Sequence, residues 1–280
     1  MTRRSFLPAL AVPPLAAAAQ APSSGAVPRK GRLKQAATRG CFGRMPFPEM
    51  CKQAARLGLK GIDLVGPADW PVMKENGLIP TMVPSVSGIR DGINRVENHA
   101  RMLEGMRKSI AEAAAAGAPN VIVLSGERKG LPDDQGAEHC VAFFNQIKAA
   151  AEDKGVTLCL ELLNSKVNHP DYQCDHTKWG VDVCKRVNSP RVKLLYDIYH
   201  MQIMEGDVIR TIRENIQWIG HFHTAGNPGR HELDDRQELN YKGICQAIVD
   251  TGFTGYLSHE YGPTRDPLTS LEEAIRICDV

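Results

Sequence analysis

Four times in the second half of the chain an apolar run of strand length stops on a group that carries or accepts charge. That recurrence restricts the fold more than any other feature. Thr157 to Glu161 ends on Glu161, Val192 to Asp197 on Asp197, and Tyr256 to Glu260 on Glu260. The fourth run, Trp218 to Phe222, leads into His223 and then into Gly226-Asn227-Pro228-Gly229, which cannot continue a strand. Side chains alternate along a strand, so Ile219, His221 and His223 are expected on one face. The same rule groups Thr157, Cys159 and Glu161, then Lys193, Leu195 and Asp197, then Tyr256, Ser258 and Glu260. One acid at a strand end is ordinarily a solvated terminus. Four polar ends on consecutive parallel strands instead converge on one space, where three carboxylates and an imidazole repel or desolvate one another unless a cation holds them.

The first half of the chain continues the alternation of strand, loop and helix. Strands are expected at Leu33 to Thr38, Gly61 to Val65, Leu78 to Val83 and Asn120 to Leu124, the last continuously apolar as a strand covered on both faces should be. Helices are expected at Phe47 to Leu57, Trp70 to Glu75, Val96 to Ala116 and Ala137 to Lys154. Further on they fall at Lys178 to Val187, Asp207 to Glu214, Tyr241 to Thr251 and Leu271 to Cys278. Gly58, Gly77, Gly117 and Gly155 follow helices as C-terminal stops. Eight strands alternating with eight helices over short connections predict an α/β fold, a closed parallel (β/α)₈ barrel spanning 33–280 as one domain, a size that 280 residues suit. No Gly-x-Gly-x-x-Gly follows the first strand, which weakens a dinucleotide-binding sheet. In a barrel the loops after the strands carry the chemistry, so Ser125 to Gly130 reads as a wall of the site.

The formal net charge is +2, and part of it comes from the basic N-terminal region, so the remainder is close to balanced and offers no broad nucleic-acid surface. Thr2-Arg3-Arg4-Ser5-Phe6-Leu7, a short apolar stretch and Ala19-Gln20-Ala21 resemble a twin-arginine export signal over 1–21, with 22–32 as a linker. The apolar stretch is too short and proline-broken to span a bilayer. Eight cysteines lack paired spacing and are expected as buried thiols, with one disulfide through Cys41 or Cys174 left open.

Glu161, Asp197, His223 and Glu260 supply three hard oxygen ligands and one imidazole. That set suits Mg²⁺, Mn²⁺ or Co²⁺ better than a structural zinc, though Zn²⁺ stays open. His221 reads as core or as a support to the ligands, and His231 and Glu232 as residues of the rim. The segments Leu160-Glu161-Leu162-Leu163-Asn164, Tyr196-Asp197-Ile198-Tyr199-His200, Gly220-His221-Phe222-His223 with Pro228-Gly229-Arg230-His231-Glu232, and His259-Glu260-Tyr261 resemble the hydroxypyruvate isomerase family of the xylose isomerase-like barrels. The resemblance covers nearly all of the chain after the export segment. It implies that Glu161, Asp197, His223 and Glu260 hold one divalent cation and that Glu161 and Glu260 are the acid/base pair. Hydroxypyruvate isomerases tend to carry Gln at the position of His223, whereas the related ketohexose 3-epimerases carry His there.

The implied reaction is an aldose–ketose type isomerisation of a small α-hydroxy carbonyl compound, hydroxypyruvate to tartronate semialdehyde, through an enediolate. His200 is expected to hydrogen-bond a substrate oxygen or to cap the strand end, and Arg230 to fix a substrate carboxylate bidentately or to sit on the surface. The remaining specificity is expected from loops around Arg128 and Lys166. A ketose 3-epimerase is the alternative. An endonuclease IV-like enzyme needs a richer histidine set and a basic groove, and a non-catalytic sugar-binding barrel has no need of both glutamates. A small-molecule substrate, no nucleic acid and no membrane are expected, and a homo-oligomer is left open. Export to the periplasm predicts a mature chain beginning near Pro22. Intact-mass measurement on protein from its native host checks this; retention of 1–21 on a cytoplasmic protein is the opposing result.

Overall fold

The computed structural model describes residues 30–280, so the expected export segment lies outside the described residues. Strands and helices alternate from the first element. The order is β1 (Lys34–Thr38), α1 (Phe47–Arg56), β2 (Gly61–Asp63), α2 (Trp70–Glu75), β3 (Ile79–Pro80), α3 (Val96–Ala116), β4 (Asn120–Val123) and α4 (Asp133–Lys154). It continues with β5 (Thr157–Glu161), α5 (Thr177–Val187), β6 (Val192–Asp197), α6 (Ile198–Met204), α7 (Val208–Asn215), β7 (Ile219–Thr224), α8 (Tyr241–Asp250), β8 (Tyr256–His259) and α9 (Pro267–Ile277). All neighbouring strands pair in parallel, in the order β3-β2-β1-β8-β7-β6-β5-β4. Val83 closes the ring: its N–H donates to Asn120 O at 2.9 Å and its carbonyl accepts from Ile122 N at 3.1 Å. The chain forms the parallel barrel that the alternation predicts.

Two apolar layers follow from this closure. Alternate strand residues such as Leu158, Leu160, Leu194 and Phe222 face the helices and join one continuous core with α3, α4 and α5. A smaller cluster, Met82, Ile122, Cys159 and Leu195, fills the barrel interior. Both are close to water-free, as parallel strands covered on two sides require. All eight cysteines are buried free thiols, so the disulfide left open through Cys41 or Cys174 does not form. No helix among the described residues is long and apolar enough to cross a membrane.

Where elements differ from expectation, each difference has a local cause. Helix α4 starts at Asp133, four residues before the expected Ala137, with Asp133 and Asp134 in its first turn after Pro132; Gly136 in that turn leaves room for the Gln173 side chain, which a Cβ would meet at 2.2 Å. Helix α9 starts at Pro267 instead of Leu271, with Asp266 accepting from Thr269 N and proline in the first turn. Helix α6 was not expected at all. It follows Asp197 directly, and the Asp197 carboxylate caps it by accepting from His200 N at 3.1 Å. The largest correction concerns β7. Pairing with β6 runs Leu194↔Ile219 and then Leu195↔His221, so Gly220 is an extra residue in the strand. Ile219 therefore joins Leu194 in the outer core and does not share a face with His221 and His223. Strict alternation fails at this glycine, which has no side chain to displace Cys159 Sγ, 3.1 Å from where its Cβ would lie.

Candidate functional site

The carboxyl ends of β5 to β8 bring together the four residues singled out in the sequence. Glu161, Asp197, His223 and Glu260 each place one ligand atom within 4.8 Å of the others, and the first three are buried. Register explains the convergence, since Asp197 pairs with His223 across β6 and β7, and Glu260 N donates to Thr224 O at 2.9 Å. His223 stands at the centre, with Nδ1 2.9 Å from Glu260 Oε2 and 3.6 Å from Glu161 Oε1. The 3.6 Å contact is too long for a hydrogen bond, and the 2.9 Å contact is an ion pair without hydrogen-bond alignment. His223 Nδ1, Asp197 Oδ2 and His200 Nε2 are all buried without a hydrogen-bond partner. Three carboxylates, one imidazole and orphaned atoms on two of the four ligands fit a hard divalent cation.

Electrostatics push these groups apart. Burial raises the Glu161 carboxyl well above the usual carboxylate range, with Glu260 and Asp197 adding repulsion against the pull of His223. Asp197 is raised by burial and by Glu260, with Arg230 opposing. Burial also works against the charged form of Glu260, but His223 and Arg230 outweigh it and hold that carboxyl low. With no cation bound, the same Glu260 charge raises the His223 imidazole's hold on a proton although burial disfavours it; a cation at Nδ1 would take that proton's place.

Arg230 belongs to the same site. Its Nη2 lies 2.7 Å from Glu260 Oε2 and 3.8 Å from Asp197 Oδ2, and its guanidinium lies 5.8 Å from the centre of the Tyr199 ring. Its backbone sits at φ +60°, a strained position for a side-chain-bearing residue. Donation from Arg230 N to Gly226 O at 2.9 Å and from Gly262 N to Arg230 O at 3.0 Å holds it there. The arginine is partly buried and ion-paired to two carboxylates of the cluster instead of standing free on the surface. With Thr38, Arg39, Leu64, Glu260 and Tyr261 it lines a cavity of about 400 Å³ at the barrel mouth.

His200 is fully buried on α6. Its Nδ1 accepts from Asn164 N at 3.1 Å, with Asn164 Nδ2 a further 2.6 Å contact, so the ring proton sits on Nε2. That nitrogen is 3.7 Å from Asp197 Oδ2. Burial and then Arg230 depress the basicity of His200, so it is a neutral donor facing the site.

Other expected site residues are structural. Arg128 reaches Asp133 at 2.8 Å and Asp175 at 3.0 Å and also bonds the Tyr172 and Gln173 carbonyls, clamping the loop after β4 to the loop after β5. Lys166 donates to the carbonyls of Ile203 and Met204 at the end of α6. Glu232 is a buried latch that accepts from Thr264 N at 2.7 Å and Thr264 Oγ1 at 2.8 Å. His231 bonds Gly262 O at 2.8 Å. One residue was missed. Asp63, fully buried at the end of β2, reaches across the barrel to His221 Nε2 at 2.7 Å and His223 Nε2 at 3.2 Å. Within Gly61-Ile62-Asp63-Leu64-Val65 the one signal was an acid in an apolar strand.

A parallel barrel with an acidic, histidine-centred cluster at its carboxyl mouth defines a class of enzyme-like barrels. A family model described as xylose isomerase-like TIM barrel matches residues 51–279, and the chain belongs to that family. It is similar to the hydroxypyruvate isomerase of Escherichia coli strain K12, with 26% identity over 252 residues, covering 85% of this chain and 95% of the relative. The 2-oxo-tetronate isomerase of Cupriavidus necator is 32% identical over 160 residues, covering 56% of this chain and 60% of the relative. Among solved structures, an AP endonuclease, family 2, from Brucella melitensis superposes with a TM-score of 0.78 at 27% identity, covering 85% of this chain and 96% of that one.

The cluster generates a direct expectation. Protein dialysed against Mn²⁺ should carry one ion per chain, and Asp197→Ala should lose it while keeping its far-UV spectrum. Because Asp197 also caps α6, the variant should lose about 0.5–2 kcal/mol of stability. Elemental analysis with equal metal in both proteins would remove Asp197 from the ligand set.

Proposed function

We propose that the protein is a divalent-cation-dependent isomerase of a small 2-oxo acid bearing a neighbouring hydroxyl, interconverting hydroxypyruvate and tartronate semialdehyde. The observation that carries this reading is the placement of Glu161, Glu260 and Arg230 around one cation-ligand cluster. The names of the relatives support it, since both describe isomerases of 2-oxo acids. Glu161, Asp197, His223 and Glu260 would hold the cation, with Mg²⁺, Mn²⁺ or Co²⁺ suiting the oxygen-rich set. When bound, it supplies positive charge against the negative charge that develops on the substrate oxygens.

The chain's own groups supply the proton steps. Glu260, kept ionised by Arg230, takes a proton from C3, and that bond's electron pair becomes the C2–C3 double bond of the enediolate. His200 offers its Nε2–H to the substrate oxygens as the hydroxyl proton passes from O3 to O2. Glu161 returns a proton to C2, and the C3 carbonyl forms. No electron leaves the substrate, and the two carboxyl groups reset through solvent. Positioned acid/base groups of this kind contribute about 10²- to 10⁴-fold each. Among the described residues, Arg230 is the guanidinium that reaches the cluster, and it would be offered to a substrate carboxylate.

His223 favours a second reading, a ketose 3-epimerase, in which the same two glutamates would act on opposite faces of one carbon. The two readings part at Arg230. Under the isomerase reading Arg230→Ala raises KM for hydroxypyruvate by about ten- to a hundredfold, the loss of about 1.5–3 kcal/mol typical of a charged hydrogen bond, and changes KM for a neutral ketose far less. Equal effects on both substrates would leave Arg230 as a partner of Glu260 alone.

The acid/base assignment has its own test. Glu260→Gln keeps one ligand oxygen, so the cation should stay largely bound, but the group that accepts the proton is gone. Wild-type protein with Mn²⁺ should carry solvent deuterium into C3 of hydroxypyruvate, and Glu260→Gln should lose that exchange by at least a hundredfold. Exchange at the wild-type rate in the variant would leave Glu260 a ligand without a proton-transfer role.

A further inference from the structure

The proposed chemistry uses one ring nitrogen of His223, and the other faces a residue that it does not use. Asp63 stands three strands away around the ring, at the end of β2, and is fully buried. Its Oδ2 lies 3.2 Å from His223 Nε2 and 2.7 Å from His221 Nε2, and its Oδ1 accepts from Thr81 Oγ1. His221 Nδ1 faces Asn120 Nδ2 at 3.4 Å, and an amide nitrogen can only donate, so the His221 proton is on Nε2 and points at Asp63. The same amide donates to Thr81 O at 3.0 Å. Asn120, Thr81, His221, His223 and Asp63 therefore form one continuous buried network in which Asp63 is the acceptor for three donors. Every direction in it is set by groups that have a single hydrogen-bonding sense.

We infer that Asp63 is a positioning residue that fixes His223 with its proton on Nε2 and its Nδ1 lone pair aimed at the cation cluster. The inference rests on the cation reading above and adds a residue to it. An imidazole alone in an apolar interior could rotate or hold its proton on Nδ1, and either change would withdraw the ligand atom. A carboxylate on the far nitrogen prevents both and makes the near nitrogen a stronger donor to the ion. The ring cannot turn away, since His221 packs edge-on against it with centroids 5.3 Å apart. The same three side chains could be read as a second cation site, since their ligand atoms also lie close together. The hydrogen-bond distances favour protons over an ion between them, and His223 could serve both sites only by giving up its Nε2 proton.

Titration calorimetry with Mn²⁺ on wild type, Asp63→Asn and Leu195→Ala tests this. Asp63→Asn keeps shape and removes charge and should weaken binding by ten- to a hundredfold at unchanged stoichiometry. Leu195→Ala, which loosens the same interior without touching Asp63, should lower Tm and leave Kd within about threefold, a bound below one tenfold step of 1.4 kcal/mol. Folded Asp63→Asn with a wild-type Kd, or a Leu195→Ala loss as large as that of Asp63→Asn, would overturn the inference. Wild type that binds no ion would overturn the cation reading with it. If Asp63→Asn does not fold, ¹⁵N-histidine spectra of wild type loaded with Zn²⁺ decide the matter. A proton on His223 Nε2 with one ion per chain supports the role of Asp63, whereas two ions per chain or an ion on Nε2 rules it out.

Discussion

Three carboxylates at the mouth of one barrel are the constraint on which the rest of the site depends. With ligand atoms inside 4.8 Å, each pair of ionised acids repels by about 3–4 kcal/mol at an effective dielectric near 20. Burial adds a desolvation cost to each. The fold answers with fixed positive partners. His223 lies between Glu161 and Glu260, Arg230 reaches Glu260 and Asp197, and the first turn of α6 donates to Asp197. A divalent cation would add to these partners, because two of the four candidate ligand residues still offer an orphaned atom.

The barrel interior is built to hold this arrangement from below. A purely aliphatic filling would leave His223 with no partner on its inner nitrogen, and an unpartnered buried polar group costs about 1–3 kcal/mol. Instead, Asp63, His221, Asn120 and Thr81 occupy the middle of the barrel beside Cys159 and Leu195. Phe222 separates the two histidines, so ordinary alternation puts both on the inner face, and the bulge at Gly220 turns Ile219 to the outer core. Without it His221 and Ile219 would share a face, and the outer core would lose the Ile219 contact with Leu194.

The fold was legible because its signal is repetitive: apolar runs bounded by turn residues, with glycine after each long helix. The four cluster residues were legible for the same reason, each being the polar close of such a run. What the sequence hid depends on distance or on a break in periodicity. Asp63 meets His223 across 160 positions of chain, and no local pattern marks that pairing. Helix α6 is short and is capped by a residue that already had a role as a strand end. Arg128 and Lys166 had the charge of substrate-binding residues, but loop packing spends them on carbonyls and on Asp133 and Asp175. Composition shows that a cation is present in a loop and not whether it is already neutralised.

This distinction bears on specificity. Under the proposed reading the cluster would take two adjacent oxygens on carbon, which hydroxypyruvate and a ketose share, so it would not choose between them. The choice falls to the rim, where Arg39 is paired with Asp69 at 3.0 Å and stacked on Phe47, with its guanidinium 4.1 Å from the ring centre. Arg230 is held by Glu260 in a strained backbone position and is about a quarter exposed to the cavity. A substrate carboxylate that takes the Arg230 fork competes with Glu260 for it. Under the proposed reading, that exchange removes a positive partner that keeps Glu260 weakly basic, at the moment when Glu260 must accept a proton. A neutral ketose makes no such exchange, so the same arginine that orients an acid substrate also gives it the more basic catalyst.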